Sequence, residues 1–209
     1  MNGTDLKNQL IFDFASGSLG PSKSIFASTY LYLNSKASNL NKTFENILGE
    51  NLFDNDNVAL PKLKYTDCIS NKSVISQKPN QTSSPITKVV GSLDKIKWKK
   101  VFRGFSEFSL NINDENNLKL IKMEPGISGP LHSHDGKEFI LVLNGSFHDE
   151  YGKYSKGDLQ INDQNIKHTP IASEDEGCVC LTITEKDVIF FGRYGSFLNL
   201  FTFIKSFFK

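Results

Sequence analysis

At 209 residues the chain has room for one large domain or two small ones, and its 38% hydrophobic and 22% charged residues are those of an ordinary globular protein. A formal net charge of +1 supplies no global field to favour direct binding of nucleic acid or of an acidic membrane. Cys68, Cys178 and Cys180 are odd in number and two form a C-x-C pair, which does not read as a disulfide framework and suits a reducing cytoplasm.

The first fifty residues read as helical. Leu6, Leu10, Ile11 and Phe14 recur at three- and four-residue spacing, with Gly17 as a stop. Pro21 can open a second helix whose apolar stripe is Ile25, Phe26, Leu33 and Ala37. A third, over 40–48, uses Phe44, Ile47 and Leu48, with Gly49 behind it. Residues 1–19 carry Asp5 and Asp13 and no basic segment ahead of an apolar run, so no signal peptide is expected. From 53 to 87 Asn, Ser, Lys and Pro dominate, a composition too polar to order itself, which predicts a linker.

Beyond Ile86 the apolar period falls to two. Phe108, Leu110 and Ile112 alternate with polar residues, and Leu118 to Met123 do so more loosely. Turn signals follow at Pro125-Gly126, Asp135-Gly136, Asn144-Gly145, Tyr151-Gly152 and Gly157-Asp158, a spacing that predicts a sandwich or barrel over 88–191. Residues 192–209 place Phe197, Phe201, Phe203, Ile204 and Phe208 among polar residues at helical spacing. An amphipathic helix is predicted there, too short to span a bilayer. It would dock on its own domain, on a second copy as a homodimer, or peripherally on a membrane surface. The expected class is thus α+β with two domains: a small N-terminal helical bundle over 1–52, a polar linker over 53–87, a β-sandwich over 88–191 and the terminal helix.

Three of the four histidines fall in two short segments. His132 and His134, two apart on a strand, project to one face, and Glu138 arrives across a turn that Gly136 permits. His168 would come from a distant strand facing the first pair. Two imidazoles and a carboxylate from one short segment make a chelate of low entropic cost. With the third imidazole they predict a metal site that suits zinc, iron, manganese or nickel. His148, beside a turn, reads as a solvated residue. Cys178 and Cys180 share a strand face, either as two small buried hydrophobes or as a redox pair near the metal. The run Lys95, Lys97, Lys99 and Lys100 reads as the solvated flank of a strand.

These two segments resemble the cupin motifs. The first, G-x5-H-x-H-x3-E-x6-G, is met by Gly126, His132, His134, Glu138 and Gly145. The second, G-x5-P-x-G-x2-H-x3-N, is met by Gly157 and His168, while Asp163, Asn165 and Ala172 depart from it. Asn165 is expected to hold the turn that the motif's Gly makes. The run from Leu141 to Asp158, His168-Thr169-Pro170 and Glu176-Gly177-Cys178 is similar to the cupin domain of ChrR-type anti-sigma factors. Leu10 to Leu19 is similar to that family's first helix. Where the family carries an H-x3-C-x2-C zinc motif, Tyr30, Asn34 and Ala37 stand instead, so no zinc is expected among the helices.

The resemblance implies a transcriptional regulator, not an enzyme. Its helices would bind an extracytoplasmic-function-type sigma factor, and its cupin would hold about one zinc on His132, His134, Glu138 and His168 and respond to oxidative or photooxidative stress. A metal-dependent cupin dioxygenase or isomerase is the alternative from another class, and it would use the same four residues.

Overall fold

In the computed structural model the described residues are 3–53 and 84–192, with Gly195 and Asn199. Cys68 and most of the expected linker lie outside them, as does the expected terminal helix apart from Gly192, Gly195 and Asn199. The chain divides into two compact units, residues 1–96 with 111–114 and residues 97–110 with 115–209. One unit is helical and the other is an antiparallel β structure, the two-domain α+β arrangement expected.

The helical unit holds α1 (Gly3–Ala15), α2 (Pro21–Leu33), α3 (Ser35–Phe53) and the short α4 (Pro85–Val90). Leu10 and Ile11 of α1, Ile25, Phe26 and Tyr30 of α2, Ala37 of α3 and Ile86 of α4 form its core. Gly17, with φ of +72°, closes α1: Ser18 N donates to Asp13 O at 3.0 Å. Pro21 opens α2, and its next donors find a remote acceptor. Asp114 takes the backbone N–H of Ser22 and its hydroxyl, each at 2.7 Å, so the 111–114 loop satisfies a helix N-terminus that Gly20 cannot cap.

Three expectations for this region are corrected. Helix α3 begins earlier and ends later than 40–48, because the Asn34 side chain accepts the Ala37 N–H at 3.1 Å and starts it at Ser35, and because Gly49 is carried inside the helix. Ala37 therefore belongs to α3, not to the stripe of α2. The polar stretch also ends sooner than drawn. Ser84 caps α4 and Pro85 occupies its first turn, and Ile86 is buried in the helical unit.

The β unit has ten strands among the described residues: β1 (Lys99–Phe102), β2 (Phe105–Leu110), β3 (Asn117–Met123), β4 (His132–His134), β5 (Glu138–Asp149), β6 (Gly152–Ser155), β7 (Leu159–Asn162), β8 (Ile171–Ala172), β9 (Cys178–Thr184) and β10 (Val188–Phe190). The main sheet runs β1-β2-β3-β9-β5-β6, with β7 and β8 also paired to β5, while β10 pairs with β4. Registers place Leu120, Leu181, Leu141 and Leu159 side by side, all almost fully buried. The opposite face carries Met123, Ile140, Val142, Cys178 and Cys180, joined in one cluster by Phe147 and Ala172. The exposed strand β1 leaves its lysines in solvent, as the basic run suggested.

Asn144-Gly145, expected as a turn, lies inside β5. The register slips there between Val142 and Asn144, and Gly145 takes φ of +68°. A Cβ at that position would collide with the Gly177 carbonyl of the neighbouring chain segment. The pair of residues that most often closes a hairpin here makes a bulge.

Candidate metal centre

Strand β4 delivers His132 and His134, with ring centroids 5.1 Å apart. Glu138 opens β5 directly after the Gly136 turn. His168 precedes β8 and is locked to His132 by reciprocal backbone hydrogen bonds, His132 N to His168 O at 3.1 Å and His168 N to His132 O at 3.0 Å. That bridge joins the two sequence segments directly. In the turn before it, Asp163 accepts the Asn165 N–H at 2.8 Å, so the work expected of Asn165 is shared by a side-chain turn that Asp163 makes.

The four side chains each offer one atom to a group lying within 4.8 Å of one another. His132 Nε2 is 3.1 Å from His168 Nε2, and Glu138 Oε2 is 3.1 Å from His134 Nε2 and 3.2 Å from His168 Nε2. A tetrahedron with bonds of about 2.0–2.1 Å has edges of roughly 3.3 Å, and an octahedron of that size has edges of roughly 3.0 Å. These three separations fit the edges of either geometry around a first-row divalent ion. His134 and His168 are 1% and 0% exposed; His134 Nδ1 has no hydrogen-bond partner among the described residues, and Nε2 meets only the Glu138 carboxylate, at 3.1 Å and without hydrogen-bond geometry. A buried imidazole without a hydrogen bond is costly, and a cation at the centre of the four donors would relieve it.

The electrostatics prepare two of the donors for metal, whereas His168, where burial opposes charge but Asp149 and Glu138 outweigh it and raise it to about 9, would have to release a proton to join them. Burial pushes the His132 imidazole down to about 4, against the pull of Glu138, so its ring is neutral at pH 7. Burial also opposes charge on Glu138, but His134 and His168 outweigh it and hold the carboxyl well below the usual range. A neutral imidazole beside an ionised carboxylate is the state in which both bind metal.

Residues 87–186 match the model of the ChrR cupin-like domain family. Over these residues the β unit is similar to the ChrR cupin-like domain. The chain is 26% identical over 201 residues to the anti-sigma-E factor ChrR of Cereibacter sphaeroides, and the alignment covers 92% of each. It also matches a chain in the crystal structure of Rhodobacter sphaeroides SigE in complex with the anti-sigma ChrR. That match has 27% identity and a TM-score of 0.70, over 85% of this chain and 96% of that one. The likeness to ChrR thus takes in helices and cupin together.

Around the four donors the ChrR-like cupin builds contacts that the motifs do not encode. Pro130 O lies 2.8 Å from His132 Nδ1, which turns Nε2 inward. Asn162 donates to Glu138 Oε2 at 3.2 Å from the neighbouring β7, where register sets it opposite Glu138. Asp149 Oδ2 lies 2.9 Å from His168 Nδ1. None of the three partners has a fixed offset from a ligand that a sequence pattern would flag, and Asp149 and Asn162 stand beside other polar residues, His148 and Gln160, in their strands. His148 is exposed, as expected of a solvated residue.

Cys178 and Cys180 are both buried with free thiols, and they share the interior face of β9. Their contact with each other lowers the Cys178 thiol, and it joins burial in raising that of Cys180. Cys180 pairs with Val142, four residues along β5 from Glu138, a separation of about 13 Å at ~3.3 Å per residue. The thiols lie on the face of the sheet that carries Glu138, whose charge also helps to raise the Cys180 thiol.

Proposed function

We propose that this chain is an anti-sigma factor that binds a sigma factor through its helical unit and carries a zinc-holding cupin as its sensor. The observation that carries this reading is the match to ChrR, a protein crystallised with SigE, which includes the helices as well as the cupin. A metal-dependent dioxygenase or isomerase would use the same four donors, and nothing about enzymatic cupins calls for a ChrR-like helical unit ahead of them.

The helices support a docking role in their own right. Phe12, Tyr32 and Ile47 are exposed at 40%, 53% and 49%, and Phe12 meets Phe44 edge-on with centroids 5.4 Å apart. Apolar surface of this kind on a small bundle suits a protein partner. Direct binding of nucleic acid is not part of the reading. Among the described residues no helix is long and apolar enough to cross a membrane; the proposed place of action is the cytoplasm.

His132, His134, Glu138 and His168 are the proposed ligands, with zinc the metal and oxidative or photooxidative stress the stimulus. The metal would tie β4, β5 and the segment before β8 at one point. Cys178 and Cys180 form the proposed redox pair, and their burial would confine oxidation to an opened state of the sheet. Co-expression with a candidate extracytoplasmic-function-type sigma factor from the same genome, followed by affinity purification, is expected to recover a stable one-to-one complex. Elution of the chain alone in every such trial would remove the anti-sigma reading while leaving the metal centre standing.

A further inference from the structure

Strand β5 brings a second carboxylate to His168. Glu138 and Asp149 are the first and last residues of this 12-residue strand, an odd separation that would send them to opposite faces of a regular strand. The slip between Val142 and Asn144 adds one residue, and side-chain alternation reverses across it. Ile140 and Val142 before the bulge and Phe147 after it all enter one buried cluster, which shows the reversal directly. Asp149 therefore lies on the face that carries Glu138. The strand also changes partners, from β7 and β9 over its first half to β6 and β8 over its last, and curls enough for one imidazole to meet both ends. His168 Nε2 is 3.2 Å from Glu138 Oε2, and its Nδ1 is 2.9 Å from Asp149 Oδ2.

The Asp149 carboxylate has no exposed side-chain surface and is held from four directions. Oδ2 faces His168 Nδ1 at 2.9 Å and accepts from Gln160 Nε2 at 2.7 Å, while Oδ1 accepts the backbone N–H groups of Tyr151 at 2.9 Å and Gly152 at 3.2 Å. A carboxylate so fixed cannot turn away. Being an acceptor only, it requires the proton of His168 to sit on Nδ1, which leaves the Nε2 lone pair aimed at the other three donors.

We infer that Asp149 is the positioning residue of the metal centre, setting the tautomer and ring plane of His168, with Gln160 and the Tyr151–Gly152 backbone holding Asp149 in turn. The inference rests on the metal reading of the four donors. A structural ion pair alone would affect stability but not the ligand field at the metal.

The test uses the full chain as parent, Asp149→Ala and Asp149→Asn. Zinc affinity is measured by competition with a chromophoric chelator, and the cobalt(II) form is read by visible absorption. Asp149→Ala is expected to bind zinc about 10–100-fold more weakly, with a shifted cobalt band as the His168 ring turns. Asp149→Asn keeps one acceptor for Nδ1 and is expected to lose less, roughly fivefold, with the band moved in the same direction. Should the alanine variant fail to fold, the isosteric asparagine decides on the same two readings. Affinity within twofold of the parent, together with an unchanged cobalt spectrum, overturns the role of Asp149 alone. A parent that takes up no metal overturns the metal centre and this inference together.

Discussion

The two units solve the same problem in different ways. The β unit gathers buried polar groups, three imidazoles and a carboxylate, within 4.8 Å of one another, three of the pairs standing 3.1–3.2 Å apart. Such a cluster is poorly stable unless a cation completes it. Among its described residues the helical unit has no such cluster. Where the ChrR-type zinc motif would fall, Tyr30 and Ala37 are buried at 7% and 4% exposure and Asn34 caps the next helix. One unit is organised to be finished by a metal and the other by packing and capping. On the proposed reading, a small fold exchanges a metal staple for apolar contacts in one part while keeping a metal centre in another.

Removing a ligand should separate the units most sharply. Elemental analysis of the parent is expected to give about one zinc per chain. Glu138→Gln or His168→Ala should reduce it to near zero, since each ligand is buried and shared among the others. At a metal concentration a thousandfold above its dissociation constant, the lost linkage is about 4 kcal/mol. The β unit should melt earlier while the helical circular dichroism signal persists. Equal metal content in parent and variants would mean that the four side chains do not hold it.

The converse test strikes the helical core. Phe26 is 0% exposed and the largest fully buried side chain of its unit. Phe26→Ala should cost about 3–5 kcal/mol, a loss that so small a bundle is poorly placed to absorb. Helical ellipticity and sigma-factor capture should both fall while metal content stays at the parental value. Loss of metal together with the helices would show that the two units are not independently stabilised.

A smaller effect is expected at the bulge. Gly145→Ala would place a Cβ against the Gly177 carbonyl at a φ of +68°, which favours glycine. A cost of about 2–3 kcal/mol is expected. Because the bulge sets which way Asp149 faces, zinc affinity should weaken along with thermal stability. A variant with parental affinity and melting temperature would mean that the strand tolerates another register.

The legibility of the sequence follows the range of each interaction. His132, His134 and Glu138 were legible because a strand and one turn fix their relation within seven residues, and His168 because a second short pattern marks it. Asp149 was not, since its approach to His168 depends on a parity change made by a bulge whose Asn-Gly signature ordinarily closes a hairpin. The first three helices were visible in the period of their apolar residues. The fourth, with six residues, completes less than two turns and leaves no periodic trace in a polar stretch. The start of α3 was misplaced because Asn34 reads as an ordinary polar residue until its side chain is seen to accept a backbone N–H.

That cap is the smallest effect and the most specific test of the exchange described above. Asn34 ends α2, with its N–H donating to Tyr30 O at 2.9 Å, and its Oδ1 takes the Ala37 N–H at 3.1 Å to begin α3. One residue thus fixes the elbow between the two helices. Asn34→Ala removes the side-chain acceptor and should cost about 1 kcal/mol. Asn34→Ser or Asn34→Asp, which can accept the same N–H, should recover most of it. The loss should be the same in metal-free and metal-loaded protein, because no ligand lies in this unit. A chelator-dependent effect at Asn34 would instead mean that metal supports the elbow, and the division between a packed unit and a metal-completed one would have to be abandoned.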